Sequence, residues 1–530
     1  GYDFRATASW NHVFNDIHIT NFFAGTEINS TDRSKNYYQG WGMQYSMGEI
    51  PYYVYEFFKK GIEDGNNYYS LSQTRSRSAA FFANATYSYK GRYTVNGTAR
   101  YEGTNRMGKS RSARWLPTWN VSGAWNAHEE KFFSNLTSVL SHFTLKASYS
   151  LTADRGPADV TNSQAIITSY SPYRPFTSIQ ESGLYIKELE NSELTYEKKH
   201  ELNIGADMGF LNNRINLAVD WYKRNNYDLI GIVNTQGAGG QILKYANIAS
   251  MKSHGIEFTL STKNIKTKDF NWNTDFIFSN AKNEVTDLKQ NANVMELISG
   301  NGFAKQGYPV RGLFSIPFVG LDKDGIPVII NEKGEATSTD INFQERQNTG
   351  FLKYEGPTDP TITGSLGNMF SYKGFRLNLF ITYSFGNVIR LNPVFKAYYS
   401  DLTAMTREFK NRWTLPGDEA KTNVPAILSK RMYDSNEDLK YAYNAYNYST
   451  ERIAKGDFIR LKEISLAYDF PKAWINPLKL TDLSLKVQAT NLFLIYADDK
   501  LNGQDPEFFN AGGVASPVPR QFTITLRLGL

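Results

Sequence analysis

The chain contains no cysteine among its 530 residues, which excludes disulfide staples, zinc–thiolate centres and thiol nucleophiles. It has no apolar run of about 18 residues, and so no candidate transmembrane helix. Histidine is scarce. His12, His18, His128, His142, His200 and His254 are scattered, and none forms a pair with the spacing of helical zinc ligands. Charge of one sign is not in marked excess either. Lys and Arg number 58 against 52 Asp and Glu, a net +6 that is not gathered into a stripe. Nucleic acid is therefore not an expected partner. No nucleophile–base or metal-ligand constellation stands out, so neither an enzymatic role nor a cofactor is expected.

What is abundant is aromatic: 34 Tyr, 34 Phe and 9 Trp. Many fall in stretches that alternate. In residues 92–101, Tyr93, Val95, Gly97, Ala99 and Tyr101 take one side and Arg92, Thr94, Asn96, Thr98 and Arg100 the other. Side chains of a strand point alternately to opposite faces, so this stretch has one apolar and one polar wall. Repeated to the end of the chain, the pattern predicts an all-β protein, an antiparallel transmembrane β-barrel. Low mean hydropathy does not conflict with that, because a barrel strand shows lipid only every second residue.

The alternation predicts about fifteen spanning strands, each near the ~9–11 residues that cross a bilayer at barrel tilt. They fall at 2–11, 16–26, 79–90, 92–101, 115–127, 142–152, 199–209, 214–224, 253–262, 270–280, 362–372, 375–385, 457–469, 482–493 and 521–530. The apolar register slips at Lys462-Glu463, which predicts a bulge there. Short and long connections take turns. Outer-membrane barrels have short periplasmic turns and long extracellular loops, and the chain fits that code when its C-terminus is periplasmic. An odd strand count is not that of a single-chain bacterial barrel. The chain also opens inside a strand at Gly1-Tyr2-Asp3-Phe4 instead of on a signal peptide. It reads as a mature, cleaved or truncated piece, with an odd number of N-terminal strands supplied from elsewhere.

By parity, Asp207, Asp220, Glu257 and Asp275 face inward, where wall cations such as Lys146 and Arg376 or a plug domain would meet them. Asp322-Lys323-Asp324-Gly325 resembles the start of a calcium loop, which makes Asp322 and Asp324 candidate metal ligands. It lacks the later positions of an EF-hand, and an ordinary turn is favoured. The long loops are rich in Tyr, Asn and Gly. Tyr37, Tyr38, Trp41, Tyr398 and Tyr399, with the run Tyr441–Tyr448, suit stacking on sugars or gripping peptides, and equally suit packing at the barrel mouth. Trp10, Tyr87, Tyr93, Trp125 and Trp221 read as girdle residues at the lipid interface.

Several blocks, taken together, carry a resemblance. Arg100-Tyr101-Glu102-Gly103-Thr104-Asn105-Arg106 is followed by Trp115-Leu116-Pro117-Thr118 and Gly123-Ala124-Trp125. Then come Lys146–Ser150, Asn203–Asp207, Asp220–Arg224, His254–Glu257, Phe458–Lys462, Ala489–Phe493 and Asp505-Pro506-Glu507. In content and order they resemble the SusC/RagA-type TonB-dependent transporters of Bacteroidota. Departures are the run Glu102-Gly103-Thr104-Asn105, the terminal Leu530 in place of an aromatic, and the lack of a plug domain and TonB box. The resemblance therefore covers the C-terminal part of such a protein, about the last fifteen of 22 strands around a plugged lumen.

The resemblance implies a place in the bacterial outer membrane and active import of a large nutrient, an oligosaccharide or an oligopeptide. It implies a SusD-like surface lipoprotein as lid, an N-terminal barrel and plug fragment, and TonB acting through that absent part. A passive porin and a surface ligand-binding or adhesin barrel are the alternative readings.

Overall fold

The computed structural model describes every residue except 41, 53, 67, 157–164, 171–180, 235–242, 400–404, 510–516 and 530. Its main feature is one antiparallel sheet of fifteen strands. They are β1 (Tyr2–Phe14), β2 (His18–Tyr38), β3 (Tyr69–Tyr89), β4 (Tyr93–Thr104), β5 (Trp115–Asn126), β6 (Leu140–Asp154), β7 (Glu197–Phe210) and β8 (Ile215–Asn234). After them come β9 (Leu243–Lys266), β10 (Phe270–Leu288), β11 (Ile362–Tyr372), β12 (Phe375–Phe385), β13 (Phe458–Asp469), β14 (Asp482–Ala497) and β15 (Gln521–Gly529). The strands stand in chain order, each beside its predecessor. No helix among the described residues is long and apolar enough to cross a membrane.

The chain divides into two compact units, Gly1–Gly123 with Ser148–Glu201 and Asn226–Ala249, and Ala124–Ala147 with Leu202–Asn225 and Ser250–Leu530. In the first, register puts Phe4 opposite Ile28, Ala8 opposite Ala24 and Trp10 opposite Phe22. Phe81 faces Tyr101 and Tyr87 faces Val95 on the same side. Phe4, Trp10, Phe81 and Val95 are each half exposed or more. So many large apolar groups bared on one sheet face would aggregate in water, and they suit hydrocarbon. The opposite face holds Arg5 against Glu27 and Asn84 against Thr98. β2 and β3 run 21 residues each, about twice what a bilayer takes, so their paired ends continue well beyond it. Much of the chain between the expected strands 16–26 and 79–90 is therefore strand.

In the second unit the predicted bulge is present. Phe380 pairs with Glu463 and Ile381 with Leu461, which leaves Lys462 outside the ladder. β14 answers with a wider irregularity, Glu463 pairing with Thr490 and Leu461 with Phe493. Turns at one end of the sheet are tight, as at Lys373-Gly374, where both central residues have positive φ (44° and 91°).

One close approach sets a limit on sequence. A Cβ on Gly255 would lie 2.5 Å from the Tyr222 hydroxyl and 2.6 Å from the Asn280 carbonyl oxygen. Arg224 in turn covers the Tyr222 ring at 4.0 Å. Gly255→Val is expected to overpack this point by about 1–3 kcal/mol. A lower urea midpoint, read by loss of heat-modifiable mobility on gels, checks it.

Candidate functional site

On the polar face of the first unit, alternate residues of β1 to β4 bring charge together. Arg100 donates from Nε to Glu102 at 2.7 Å and from Nη1 to Glu27 at 3.3 Å. Arg155 also reaches Glu102. The Phe82 ring lies 5.4 Å from the Arg5 guanidinium and 5.8 Å from that of Arg100. This group borders a cavity of about 380 Å³ whose walls include Thr98, Thr118, Asn120 and Tyr196. Tyr196 is buried and donates its hydroxyl to the Arg114 carbonyl at 3.2 Å. Burial raises its pKa, and Arg155, Arg100 and Arg106 pull it back down.

Farther along the same face of β2 come Arg33 and Lys35, set opposite Thr74 and Ser72. Asp32 points to the other face, where Arg75 pairs with it at 2.5 Å. Tyr37 and Tyr38 end the strand, both exposed and on opposite faces, with Tyr37 donating to Gln39 at 3.1 Å. Trp41 lies outside the described residues.

In the second unit, Asp207 pairs with Lys146 at 2.8 Å, as parity suggested. Arg376 pairs instead with Asp469 at 2.9 Å. Asp275 accepts from Ser261 at 2.6 Å and Glu257 from Ser279 at 3.4 Å. Among the described residues no group of three or more His, Asp or Glu side chains is placed to hold a metal ion.

Two of the long connections in this unit, that between β10 and β11 and that between β12 and β13, fold together over cores of their own. One core gathers Ile326, Phe395, Phe409, Leu428, Tyr443 and Tyr446, the other Val294, Leu297, Phe314, Ile316, Ile329 and Ala445. Helix α1 (Leu439–Asn447) joins them, because Tyr443 and Tyr446 enter the first core and Ala445 the second. The aromatic run at 441–448 is thus largely interior, and burial holds the Tyr443 and Tyr446 hydroxyls well above the usual phenol range. Arg390 ties the connections together. It donates to the carbonyls of Ser449 at 2.9 Å and Phe314 at 2.6 Å and to Ser315 Oγ at 3.0 Å. Burial draws its pKa down to about 9, so these acceptors offset a costly desolvation.

Tyr398 and Tyr399 differ in their surroundings. Tyr398 is exposed and stacks on Tyr433 at 6.1 Å. Tyr399 is structural: its hydroxyl donates to the Val394 carbonyl at 2.8 Å and accepts from the Lys396 amide at 2.7 Å. Burial pushes its pKa up to about 12. Asp322 is also structural. One carboxylate oxygen accepts from the Asp324 and Ile326 amides, both at 2.9 Å, while Gly325 turns the chain at φ 75°. Asn331 repeats the device with the amides of Lys333 and Glu335. Asp322 thus spends an oxygen on closing a turn.

A feature the sequence showed only in pieces is the joint at Arg460. This buried wall residue of β13 reaches both oxygens of Asp505 at 2.6 Å and Glu507 at 3.2 Å. The blocks Phe458–Lys462 and Asp505–Glu507 were each visible in the sequence, but nothing there paired them. Arg390 had no sequence signal at all.

Comparison with known proteins bears on what these features serve. Residues 1–492 match the family described as TonB dependent receptor-like, beta-barrel. TonB-dependent receptor P39 of Formosa agariphila is 26% identical over all of this chain and 53% of its own length. TonB-dependent receptor SusC of Bacteroides thetaiotaomicron is 26% identical over 89% of this chain and 47% of its own. The chain thus spans about half the length of the curated relatives it matches. Among solved structures, the RagAB peptide transporter superposes with a TM-score of 0.78 at 21% identity, covering 99% of this chain and 55% of the other.

Proposed function

The chain belongs to the TonB-dependent receptor-like β-barrel family, and from that membership we propose that it forms the C-terminal wall and outer loops of an active outer-membrane importer. The cargo is a large nutrient, an oligosaccharide or an oligopeptide. The observation that carries this reading is the fifteen-strand sheet, whose strands in the first unit bare apolar groups on one face and line the other with charge and amides. A barrel of this kind turns the first face to lipid and the second to a water-filled lumen.

In this proposal the remaining seven or so strands of a barrel of about 22, and the plug, come from an N-terminal part that TonB engages. A surface lipoprotein of SusD type closes the outer side. Support for a protein partner comes from the tip between β2 and β3. There Tyr45, Met47, Ile50, Tyr52, Tyr55 and Phe57 are all about half exposed or more, on a hairpin that continues beyond the bilayer. Apolar and aromatic groups bared away from lipid suit a protein–protein contact.

The test is uptake of labelled oligosaccharides and peptides by cells carrying the complete transporter. Uptake is expected to stop when TonB is deleted or the proton-motive force is dissipated. Uptake that persists under both treatments, with a large steady conductance in planar bilayers, would overturn active import in favour of a passive pore.

A further inference from the structure

We propose that the polar face of β2 to β4 is an anion-selective track and that the cargo is an acidic oligosaccharide; this rests on the import reading above. Arg33 and Lys35 point to the same side of β2, two residues apart, across from Thr74 and Ser72. Both are exposed, and among the described residues neither has a carboxylate within ion-pairing distance. The other face of the same strand pair carries Arg75, paired with Asp32, and the exposed Arg77.

The track continues along the same side. Six residues along β2 from Arg33 lies Glu27, about 20 Å away at the rise of a strand. Arg100 and Arg155 gather there beside the 380 Å³ cavity, with Arg5 across the Phe82 ring. Glu27 and Glu102 pair with Arg100 and Arg155 there, and Asp3, opposite Asn29 on the same face, brings a third carboxylate. A ligand with carboxylate or sulfate groups at intervals would meet Arg33 and Lys35 first and the arginine-lined cavity next.

The surroundings favour a saccharide over a peptide. Thr31, Ser70, Ser72, Thr74 and Ser76 flank the outer cations, and Thr98, Thr118 and Asn120 line the cavity. Hydroxyls and amides of this kind exchange hydrogen bonds with ring hydroxyls, while the arginines take the acidic groups.

The test is calorimetric titration of the complete transporter in detergent with a hexauronate, a sulfated galactan hexamer, neutral maltohexaose and an acidic hexapeptide. The variant is Arg33→Gln with Lys35→Gln, at exposed positions that spare the ladder. At least one acidic hexasaccharide is expected to bind more tightly than maltohexaose, and the double variant to weaken it about tenfold or more, leaving maltohexaose unchanged. The carboxylated and sulfated arms show which acidic group is read. Equal binding of the neutral sugar, preference for the peptide, or an unaffected double variant would each overturn the proposal. Binding here needs no TonB, so these failures are separate from a failure of energised uptake.

Discussion

Replacing Arg460 by methionine is expected to free the connection between β14 and β15 from the wall while leaving the barrel folded. The arginine is 5% exposed and Asp505 is nearly as buried, so the pair is largely removed from water. Truncating one member of such a pair strands the other charge, at a cost of about 3–5 kcal/mol. The remaining anchors are weaker. Asp498 accepts from the Lys455 amide at 2.7 Å, and Leu501 and Phe509 pack with Ile389, Leu391 and Ala454. Limited trypsin digestion reads the outcome. Lys500 is exposed within this segment, and cleavage there is expected to be fast in Arg460→Met and slow in the parent. Adding Asp505→Leu and Glu507→Gln removes the stranded charges and is expected to restore most of the resistance. Equal cleavage of parent and single variant would show that the joint does not hold the loop.

How far the sequence discloses this molecule follows from what alternation encodes. Side chains that meet lipid and water in turn leave a period of two, so the fifteen strands, their faces and even the bulge at Lys462 are legible. Beyond the bilayer both faces of a strand meet water. Residues Asp32–Asn36 then carry no apolar rhythm, and the extension of β2 to Tyr38 goes unannounced. The loop cores are silent for a different reason. Ile316 and Tyr448 meet through a backbone bond at 3.0 Å although more than a hundred residues separate them. No local window records such a partner. The tyrosines of 441–448 look like a binding strip because their composition matches one, and only the fold reveals that Tyr443 and Tyr446 face inward.

That interior placement sets up the second large effect. Tyr443 is 1% exposed, packs in the first loop core and donates its hydroxyl to the Ala426 carbonyl at 2.6 Å. Tyr443→Ala removes an aromatic ring from a site already tied down by its neighbours, so the vacated space cannot readily collapse. A loss of about 3–5 kcal/mol in the stability of these loops is expected. Hydrogen exchange is the suitable probe, because the loops and the wall report separately. Amides of residues 394–399 and 424–446 should exchange faster, while those of β12 stay protected. Tyr443→Phe keeps the ring and strands only the Ala426 carbonyl, for about 1–3 kcal/mol. The buried phenols add a pH dependence of known sign. Burial raises the pKa of Tyr443, Tyr446 and Tyr399 in the folded loops, so each contributes stability that is fully present below about pH 10, the pKa of an exposed tyrosine. Above that, unfolded chains release protons that folded ones retain, and the loops should open while the wall persists. Removing one of the three phenols in Tyr443→Phe should flatten that alkaline loss. Parallel alkaline profiles for parent and variant would mean that Tyr443 ionises as freely in the folded loops as in the open chain, and the interior assignment of this helix face would fail.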